Sequence, residues 1–526
     1  MVIPFLALLV ACADPPAGDS GVAPMPVAAL AVRTSLDLRG VRPTVEELAA
    51  IEADPDALSG RIDAWMQDAR FGARVRDLWS EVYRTRAAPR FLSAASYGLD
   101  DPAAFTRSVG EEPLRILERV AVEDRPWTDL ATADWTMADP LLAGIWPITR
   151  EAGEGWQPAR YTDSRPAAGI LATNSFHWRY DSTASNANRK RANAASRVLL
   201  CQDYLVRPID FDRNVNLLDE SAVESALVTD PGCVNCHQAL DPLASFFFGF
   251  SWLDPSSVQE ASRYHPERER DWRTRTGRAP EFHGRPGYSL ADLGQAIAGD
   301  PKFATCAVEQ AWSLLLRRPV EKDDTDALVL HREAFLAGDL RLRPLLASIV
   351  TDPRYRAGAS DAAGAVSRKM VTADLLGSSI EGLTGFRWVA SGYDLLADDT
   401  VGYRTLAGGA DGYAVTANAT EPNATLVLVQ ARLAEAAAAW MVTNEPERLL
   451  PGVEVSHGPD DDAGAFAGAV QHLHLALYGT HVAVDGPEVR GAADLWRSLR
   501  AVETSGAAAW TGLVTALLRD PMILFY

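Results

Sequence analysis

Apolar residues recur at helical spacing along most of the chain. In the stretches 60–71, 114–120 and 308–315 they stand three and four residues apart, as on one face of a helix. Thr44 with Glu47 predicts a capping box at the start of another helix. Strand-like alternation is scarce, and 424–429 is compatible with either state. The pattern predicts a mainly α fold, multi-helical, with several packed helical subdomains and long loops.

A weak repeat occurs three times. Residues 36–43, 314–319 and 475–479 each end a predicted helix in a basic or glycine turn. Each is followed by a second helix that stops before a bulky apolar residue, within 62–71, 345–355 and 513–525. This predicts helical pairs that each bury one amphipathic face, which is a structural role.

Composition shifts along the chain predict soft segment boundaries. The stretch 265–287 is rich in charge and is predicted to be a surface excursion, and 358–364 is small and polar, as in a linker. The predicted segments are a signal and tether (1–26), an N-terminal helical domain (27–90), a helical domain (91–200), a central segment (201–265), a helical domain (280–360) and a C-terminal helical region (365–526).

The first residues predict export and a lipid anchor. The apolar run 2–11 is too short to span a bilayer and suits an export signal. The small residues before Cys12 resemble a bacterial lipobox, so Cys12 is the predicted lipidation site and 13–26 a flexible tether. No Lys or Arg precedes the run, and a buried N-terminal segment is the alternative. No later stretch is expected to be long and apolar enough to span a membrane, and the nearest case, 436–442, is too short.

Charge limits the partners. The 526 residues carry a net charge of −20, which argues against nucleic acid and against general attraction to anionic lipid headgroups. The expected location is the cell envelope of a Gram-negative bacterium, in the periplasm or at the outer membrane, with membrane contact through the anchor.

One motif carries chemistry, the CxxCH at 233–237. Covalent haem attachment needs two thiols that reach two vinyl groups of one porphyrin and an imidazole for the iron. Cys233 and Cys236 would form the thioethers to one haem c, and His237 would be the proximal ligand of the haem iron. The apolar and aromatic residues 240–252 are predicted either to wall the haem or to be ordinary core.

Other interpretations of the motif stay open. Cys233 and Cys236 could form a structural or redox disulfide, although no βαβ pattern surrounds them. A zinc site would need a fourth ligand, and no second Cys/His pair stands at finger spacing. The motif could also be retained without haem.

The distal ligand is not determined by the sequence. His177 is the first candidate, and Met137 and Met370 are others, whereas His472 and His474 would diverge on a helix.

Two further cysteines, Cys201 and Cys306, either pair in the oxidising envelope or remain buried thiols.

Four blocks of sequence resemble large cytochrome-c-like lipoproteins of planctomycetes and myxobacteria, which carry tandem domains of unknown function and a single CxxCH. The blocks are 36–47 with 69–72 and Trp79, 169–173 with 188–193 and 198–201, 230–242 with 248–250, and 303–306 with 316–319 and 352–355. The resemblance implies haem attachment at Cys233, Cys236 and His237, and it implies no catalytic set.

The expected function is an exported, membrane-anchored mono-haem c-type protein for electron transfer or redox sensing, with an unidentified redox partner in the envelope. The alternative is a non-haem helical scaffold or interaction protein with a structural CxxC disulfide. No paired-carboxylate constellation stands out among the 70 acidic residues, so whether the chain is an enzyme is left open.

Overall fold

The fold is mainly α, as the periodicity predicts. The computed structural model describes residues 23–87, 92–206, 216, 218–254, 256–359 and 368–526. Within these ranges it has 23 α-helices and a few short strands. Residues 1–22 of the predicted signal and tether, which include Cys12, lie outside the described residues.

The helices up to the CxxCH motif run in chain order: α1 (Val27–Arg39), α2 (Val45–Ala53), α3 (Ala57–Met66), α4 (Arg70–Tyr83), α5 (Pro102–Val122), α6 (Asp129–Thr132), α7 (Pro140–Ile145), α8 (Asn174–Arg179), α9 (Arg189–Leu200), α10 (Glu220–Thr229) and α11 (Pro231–Ala244).

The later helices are α12 (Val258–Ala261), α13 (Trp272–Arg275), α14 (Leu290–Ala298), α15 (Pro301–Leu316), α16 (Thr325–Ala337), α17 (Leu342–Val350), α18 (Ala373–Thr384), α19 (Tyr403–Leu406), α20 (Ala424–Asn444), α21 (Ala463–Tyr478), α22 (Pro487–Val502) and α23 (Gly506–Leu518).

The strands are short and antiparallel. A three-stranded sheet has the order β2 (Thr136–Ala138), β4 (Gln157–Tyr161), β3 (Ile148–Arg150). The pairs are β1 (Ala23–Pro24) with β7 (Ala357–Ala359), β5 (Glu281–Phe282) with β6 (Arg285–Pro286), and β8 (Val389–Ala390) with β9 (Tyr393–Asp394). The pairing of β1 with β7 shows that residues 23–24, within the predicted tether, already belong to the folded unit.

Local signals determine where several helices begin. The capping box is confirmed: the Thr44 side chain accepts a hydrogen bond from the Glu47 amide, and the Glu47 carboxylate accepts one from the Thr44 amide. The stretch 60–71 is two helices, α3 and α4. It breaks because the Asp68 carboxylate accepts the Arg70 amide at 2.9 Å and forms a turn there. The ambiguous stretch 424–429 begins α20.

Helices α1, α15 and α21 of the repeat end alike. Their C-caps, Gly40, Arg317 and Gly479, all adopt left-handed backbone with φ of 72°, 56° and 67°. A left-handed residue terminates a helix by turning the chain away from its axis. The predicted basic or glycine turn therefore stands at all three positions.

The second member of each repeat also ends alike. Asp68 after α3, Asp352 after α17 and Asp520 after α23 each accept the amide hydrogen of the residue two positions on, at 2.9, 2.7 and 2.8 Å. These aspartates set the turn that leads to the bulky residue of each repeat.

Helix α20 corrects the expectation for 436–442. It has 21 residues, and among the described residues it is the one helix that is long and apolar enough to cross a membrane by length and composition. Half of its apolar window is buried inside the protein, where α20 packs on α18 and α23.

The core crosses the predicted segment boundaries. One continuous cluster of buried apolar residues runs from Ala28 to Tyr526 and draws on all the segments predicted from residue 27 onward. A smaller cluster surrounds Phe105, Trp146 and Trp178.

A buried ionic cluster ties α1 to two distant parts of the chain. The Asp37 carboxylate pairs with Lys369 and accepts hydrogen bonds from the hydroxyls of Tyr355 at 2.7 Å and Tyr526 at 2.9 Å. The Lys369 ammonium also donates to the Leu315 carbonyl at 2.9 Å. The side chains of Asp37 and Lys369 are 0% and 1% exposed, so this cluster belongs to the core.

Candidate functional site

The CxxCH motif occupies the first two turns of α11. Asp230 is the N-cap, and its carboxylate accepts the amides of Gly232 at 2.8 Å and Cys233 at 3.1 Å. Pro231 at the first helical position has no amide hydrogen to satisfy and starts the helix. Asp230 and Pro231 therefore start the helix that carries the motif.

The helix brings the three motif side chains to one side. At 100° per residue, Cys233, Cys236 and His237 fall within an arc of about 100° on α11. All three are half-buried, and Cys236 packs against the main apolar core. The motif face is thus anchored on its inner side and reachable from solvent.

A carboxylate behind the motif orients the imidazole. His237 Nδ1 lies 3.0 Å from Asp241 Oδ1, one helical turn further on. Arg189 at the start of α9 donates to the same carboxylate from Nε at 2.6 Å and from Nη2 at 3.1 Å. The charged guanidinium fixes Asp241 as the acceptor, so Nδ1 carries the proton. The Nε2 atom of His237 has no hydrogen-bond partner among the described residues.

The same contacts set the charge of Asp241. Burial opposes ionisation, but the hydrogen bonds from His237 and Arg189 outweigh it, so the pKa of Asp241 lies below its ordinary value. The carboxylate is therefore ionised at neutral pH.

Neither motif thiol is bonded in the structure. Cys233 and Cys236 are free, whereas Cys201 and Cys306 form a disulfide with a Cα–Cα distance of 5.2 Å. The disulfide joins the end of α9 to α15. Cys201 and Cys306 are therefore paired and are not buried thiols. The alternative disulfide between Cys233 and Cys236 is not formed in the structure.

Cys233 does not resemble the activated thiol of a dithiol oxidoreductase. Partial burial, followed by the carboxylate of Asp230, raises the pKa of the Cys233 thiol. Redox-active cysteines at helix N-termini have the opposite shift, because the thiolate is the nucleophile. The capping aspartate thus disfavours thioredoxin-like chemistry.

The aromatic stretch after the motif is core packing. Residues Ser245–Phe250 form a 3-10 helix that is buried throughout. Phe250 stacks on His177 at 3.7 Å between ring centroids, and Phe247 packs on Phe176. The wall predicted for a haem edge therefore faces the interior, beside α8.

The candidate distal ligands have other partners. His177 is 1% exposed, and its Nε2 lies 2.8 Å from the Leu171 carbonyl. Burial, and next the charge of Arg191, lowers the pKa of His177 well below its ordinary value, so the ring is neutral. No described contact brings His177 to His237.

The remaining candidates lie on other elements. Met137 is in β2, and Met370 forms a bridge with Phe525. His472 and His474 lie on α21 and diverge as expected, His472 towards the Arg448 carbonyl and His474 towards the Tyr478 ring.

The structure adds two residues that the motif alone does not reveal. Asp241 stands four residues after His237, a spacing that places it on the same helical face, and this signal is present in the sequence. Arg189 is 52 residues away from Asp241, and only the packing of α9 on α11 brings the two together.

A Ser-His-Asp arrangement elsewhere is a packing feature. His331 Nδ1 lies 2.8 Å from Ser348 Oγ, and Nε2 lies 3.3 Å from Asp352 Oδ2. His331 is 0% exposed under the Trp312 ring, so no substrate can reach the imidazole.

The residues of α11 fit covalent haem. They provide two unbonded thiols and an imidazole with Nδ1 held and Nε2 available. Within the described ranges no group of three or more His, Cys, Asp or Glu is placed to hold a metal ion.

Exposed apolar side chains lie near the motif in sequence. Leu218, just before α10, is 97% exposed, and Val228 on α10 is 61% exposed. Helix α10 packs on α11, so this apolar surface adjoins the motif helix.

No family model matches the sequence, and neither a curated protein nor a solved structure matches the chain. The resemblance to cytochrome-c-like lipoproteins stays a prediction.

Proposed function

We propose that the chain is an exported, membrane-anchored, mono-haem c-type cytochrome-like protein that transfers electrons or senses redox state. Cys233 and Cys236 would hold the haem through thioethers, and His237 Nε2 would bind its iron. When bound, haem supplies one-electron redox chemistry. Cys12 would carry the lipid anchor in the cell envelope.

The hydrogen bond between His237 and Asp241 is the observation that carries the proposal. A metal-binding histidine commonly uses one ring nitrogen for the metal and donates the N–H of the other to a carboxylate or carbonyl. This hydrogen bond fixes the tautomer and the ring orientation. Asp241 does this for His237 at 3.0 Å and is itself held by Arg189.

The state of the thiols supports the same function. A structural CxxC disulfide, the alternative, would have Cys233 and Cys236 bonded, and the structure leaves them free while it bonds Cys201 to Cys306. The raised pKa of Cys233 also counts against a dithiol redox enzyme.

Expression of the full chain in a bacterium that exports and matures c-type haem tests the proposal. We expect Soret absorbance, and a denatured-protein mass increased by one haem. Cys233→Ser with Cys236→Ser should abolish both signals. The matched control, Cys201→Ser with Cys306→Ser, removes the same number of sulfurs and should keep the haem.

The opposite result is equally clear. If the matured wild-type chain has neither Soret absorbance nor the mass of covalent haem, the proposal is wrong. Thiol labelling of the denatured protein then identifies the alternative, because a CxxC disulfide leaves Cys233 and Cys236 unlabelled until a reductant is added.

A further inference from the structure

A cavity distant in sequence from the motif lies between the two ends of the described fold. It has a volume of about 390 Å³ and is lined by the residues before α1, by α1 itself and by the residues that follow α23. Apolar side chains, including Val32, Met522 and Phe525, form much of its wall. Cavities of about 300–1,000 Å³ are the usual size for small-ligand sites.

One buried cation interrupts this apolar wall. Arg42 is 8% exposed and lines the cavity, and its Nε is buried without a hydrogen-bond partner. No carboxylate among the described residues forms an ion pair with it. Burial lowers the pKa of Arg42 to about 10, and the nearby Tyr478 only partly opposes this shift.

Two other buried arginines form ion pairs, and a third, Arg191, donates hydrogen bonds to Asn188 Oδ1 at 2.9 Å and to the Phe250 carbonyl at 3.0 Å. Arg404 forms an ion pair with Asp374 at 3.2 Å, and Arg165 forms one with Asp163 at 2.6 Å. An isolated buried charge is costly, and an anion placed against it recovers that cost. Arg368, exposed on the same cavity, adds a second positive charge.

We propose that this cavity binds one anionic amphiphile, a long-chain carboxylate. Its carboxylate would lie against the Arg42 guanidinium, and its hydrocarbon chain along Val32, Met522 and Phe525. The combination of a buried unpaired cation with an apolar wall matches both ends of such a molecule and disfavours a wholly polar anion.

Calorimetric titration of the full chain with dodecanoate, below its micelle concentration, tests the proposal. We expect saturable binding of one dodecanoate molecule. Dodecanol has the same length and no charge, and its affinity should be lower by about 10- to 100-fold. Arg42→Met should lower the affinity for dodecanoate by the same factor and leave the affinity for dodecanol unchanged. Arg432→Met, at an exposed position on α20, is the matched control and should bind as the wild type does.

Stability separates a binding role from a structural one. Removal of an unpaired buried charge should leave the thermal midpoint of the ligand-free protein unchanged or raised, whereas loss of a structural arginine would lower it. Ala29→Phe fills part of the cavity and leaves Arg42 in place, so it should lower the affinity for both dodecanoate and dodecanol. The proposal is overturned if the wild type shows no saturable binding, or if Arg42→Met binds dodecanoate as tightly as the wild type.

Discussion

Asp37 and Asp241 are two carboxylates with similar chemistry and different surroundings. Each accepts hydrogen bonds from at least two side chains, one of them cationic. The Asp37 side chain is fully buried, and its partners, Lys369 and two tyrosine hydroxyls, all point inward. The side chain of His237, which Asp241 holds, is 23% exposed and keeps its Nε2 atom available.

The difference teaches how to separate a structural ionic cluster from a functional one. Around Asp37 the carboxylate, the Lys369 ammonium and the two tyrosine hydroxyls satisfy one another, and the cluster joins parts of the chain more than 300 residues apart. Around Asp241 the hydrogen bonds orient an imidazole whose Nε2 atom is still available as a ligand. Partial exposure and the available Nε2 atom make α11 the candidate site.

The largest effect on stability is expected when the Asp37 carboxylate is removed. Asp37→Ala leaves Lys369 buried without its partner and removes the acceptor of two tyrosine hydroxyls. We expect the free energy of unfolding to fall by about 3–5 kcal/mol, the usual cost of breaking a buried ion pair. Urea denaturation at pH 6, where Lys369 is protonated, measures it.

Asp241→Ala is the comparison for that experiment. Because the cluster around Asp241 is partly exposed, we expect the free energy of unfolding of this variant to fall by only about 1–2 kcal/mol. Equal losses for the two variants would break the distinction between the clusters.

A smaller effect concerns pH. Burial lowers the pKa of Lys369 to about 7, and its ion pair with Asp37 offsets this only in part. In the unfolded chain the lysine titrates near its ordinary value of about 10.4. Between these values the unfolded state binds a proton that the folded state does not, so stability should rise by about 1–3 kcal/mol from pH 7 to 9.

Lys369→Met isolates that contribution. The difference in unfolding free energy between wild type and variant should change across the same window, and urea denaturation at several pH values measures it. Work below pH 9.5 avoids Tyr355 and Tyr526, whose pKa values burial raises. A pH-independent difference would mean that Lys369 keeps its proton throughout and that the Asp37 cluster is a permanent ion pair.

Local order was the predictable part of the fold. The Thr44 capping box, the helical faces and the three helix ends of the repeat depend on residues a few positions apart, so they can be deduced from spacing. The Asp37–Lys369 pair joins residues 332 positions apart, and nothing local to either predicts it. The aromatic residues 246–250 show the same limit, since their composition fits a haem wall and their packing makes them core.

The candidate site divides in the same way. Cys233, Cys236 and His237 follow from a contiguous motif. Asp241 could have been deduced from its four-residue spacing once α11 was predicted to be a helix, whereas Arg189 depends on tertiary packing. The Arg42 cavity has no sequence signature, because an unpaired arginine is recognised only when its surroundings are known.

The smallest change tests what Asp241 does for His237. Asp241→Asn nearly preserves the shape of the side chain and removes the negative charge next to His237 Nδ1. If the haem is attached as proposed, the variant should keep its covalent haem, because Cys233 and Cys236 are untouched. The imidazole would become a weaker electron donor, since a carboxylate partner raises the basicity of a ligating histidine.

A weaker donor and one less negative charge both favour the reduced state, so the reduction potential of Asp241→Asn should rise by tens of millivolts. Redox titration of the Soret band measures it, with Asp254→Asn, an exposed aspartate whose carboxylate caps a turn, as the control. An unchanged potential would show that Asp241 only packs beside His237. The α11 cluster would then differ from the Asp37 cluster in exposure alone, and the hydrogen bond from His237 to Asp241 would no longer support a site at His237.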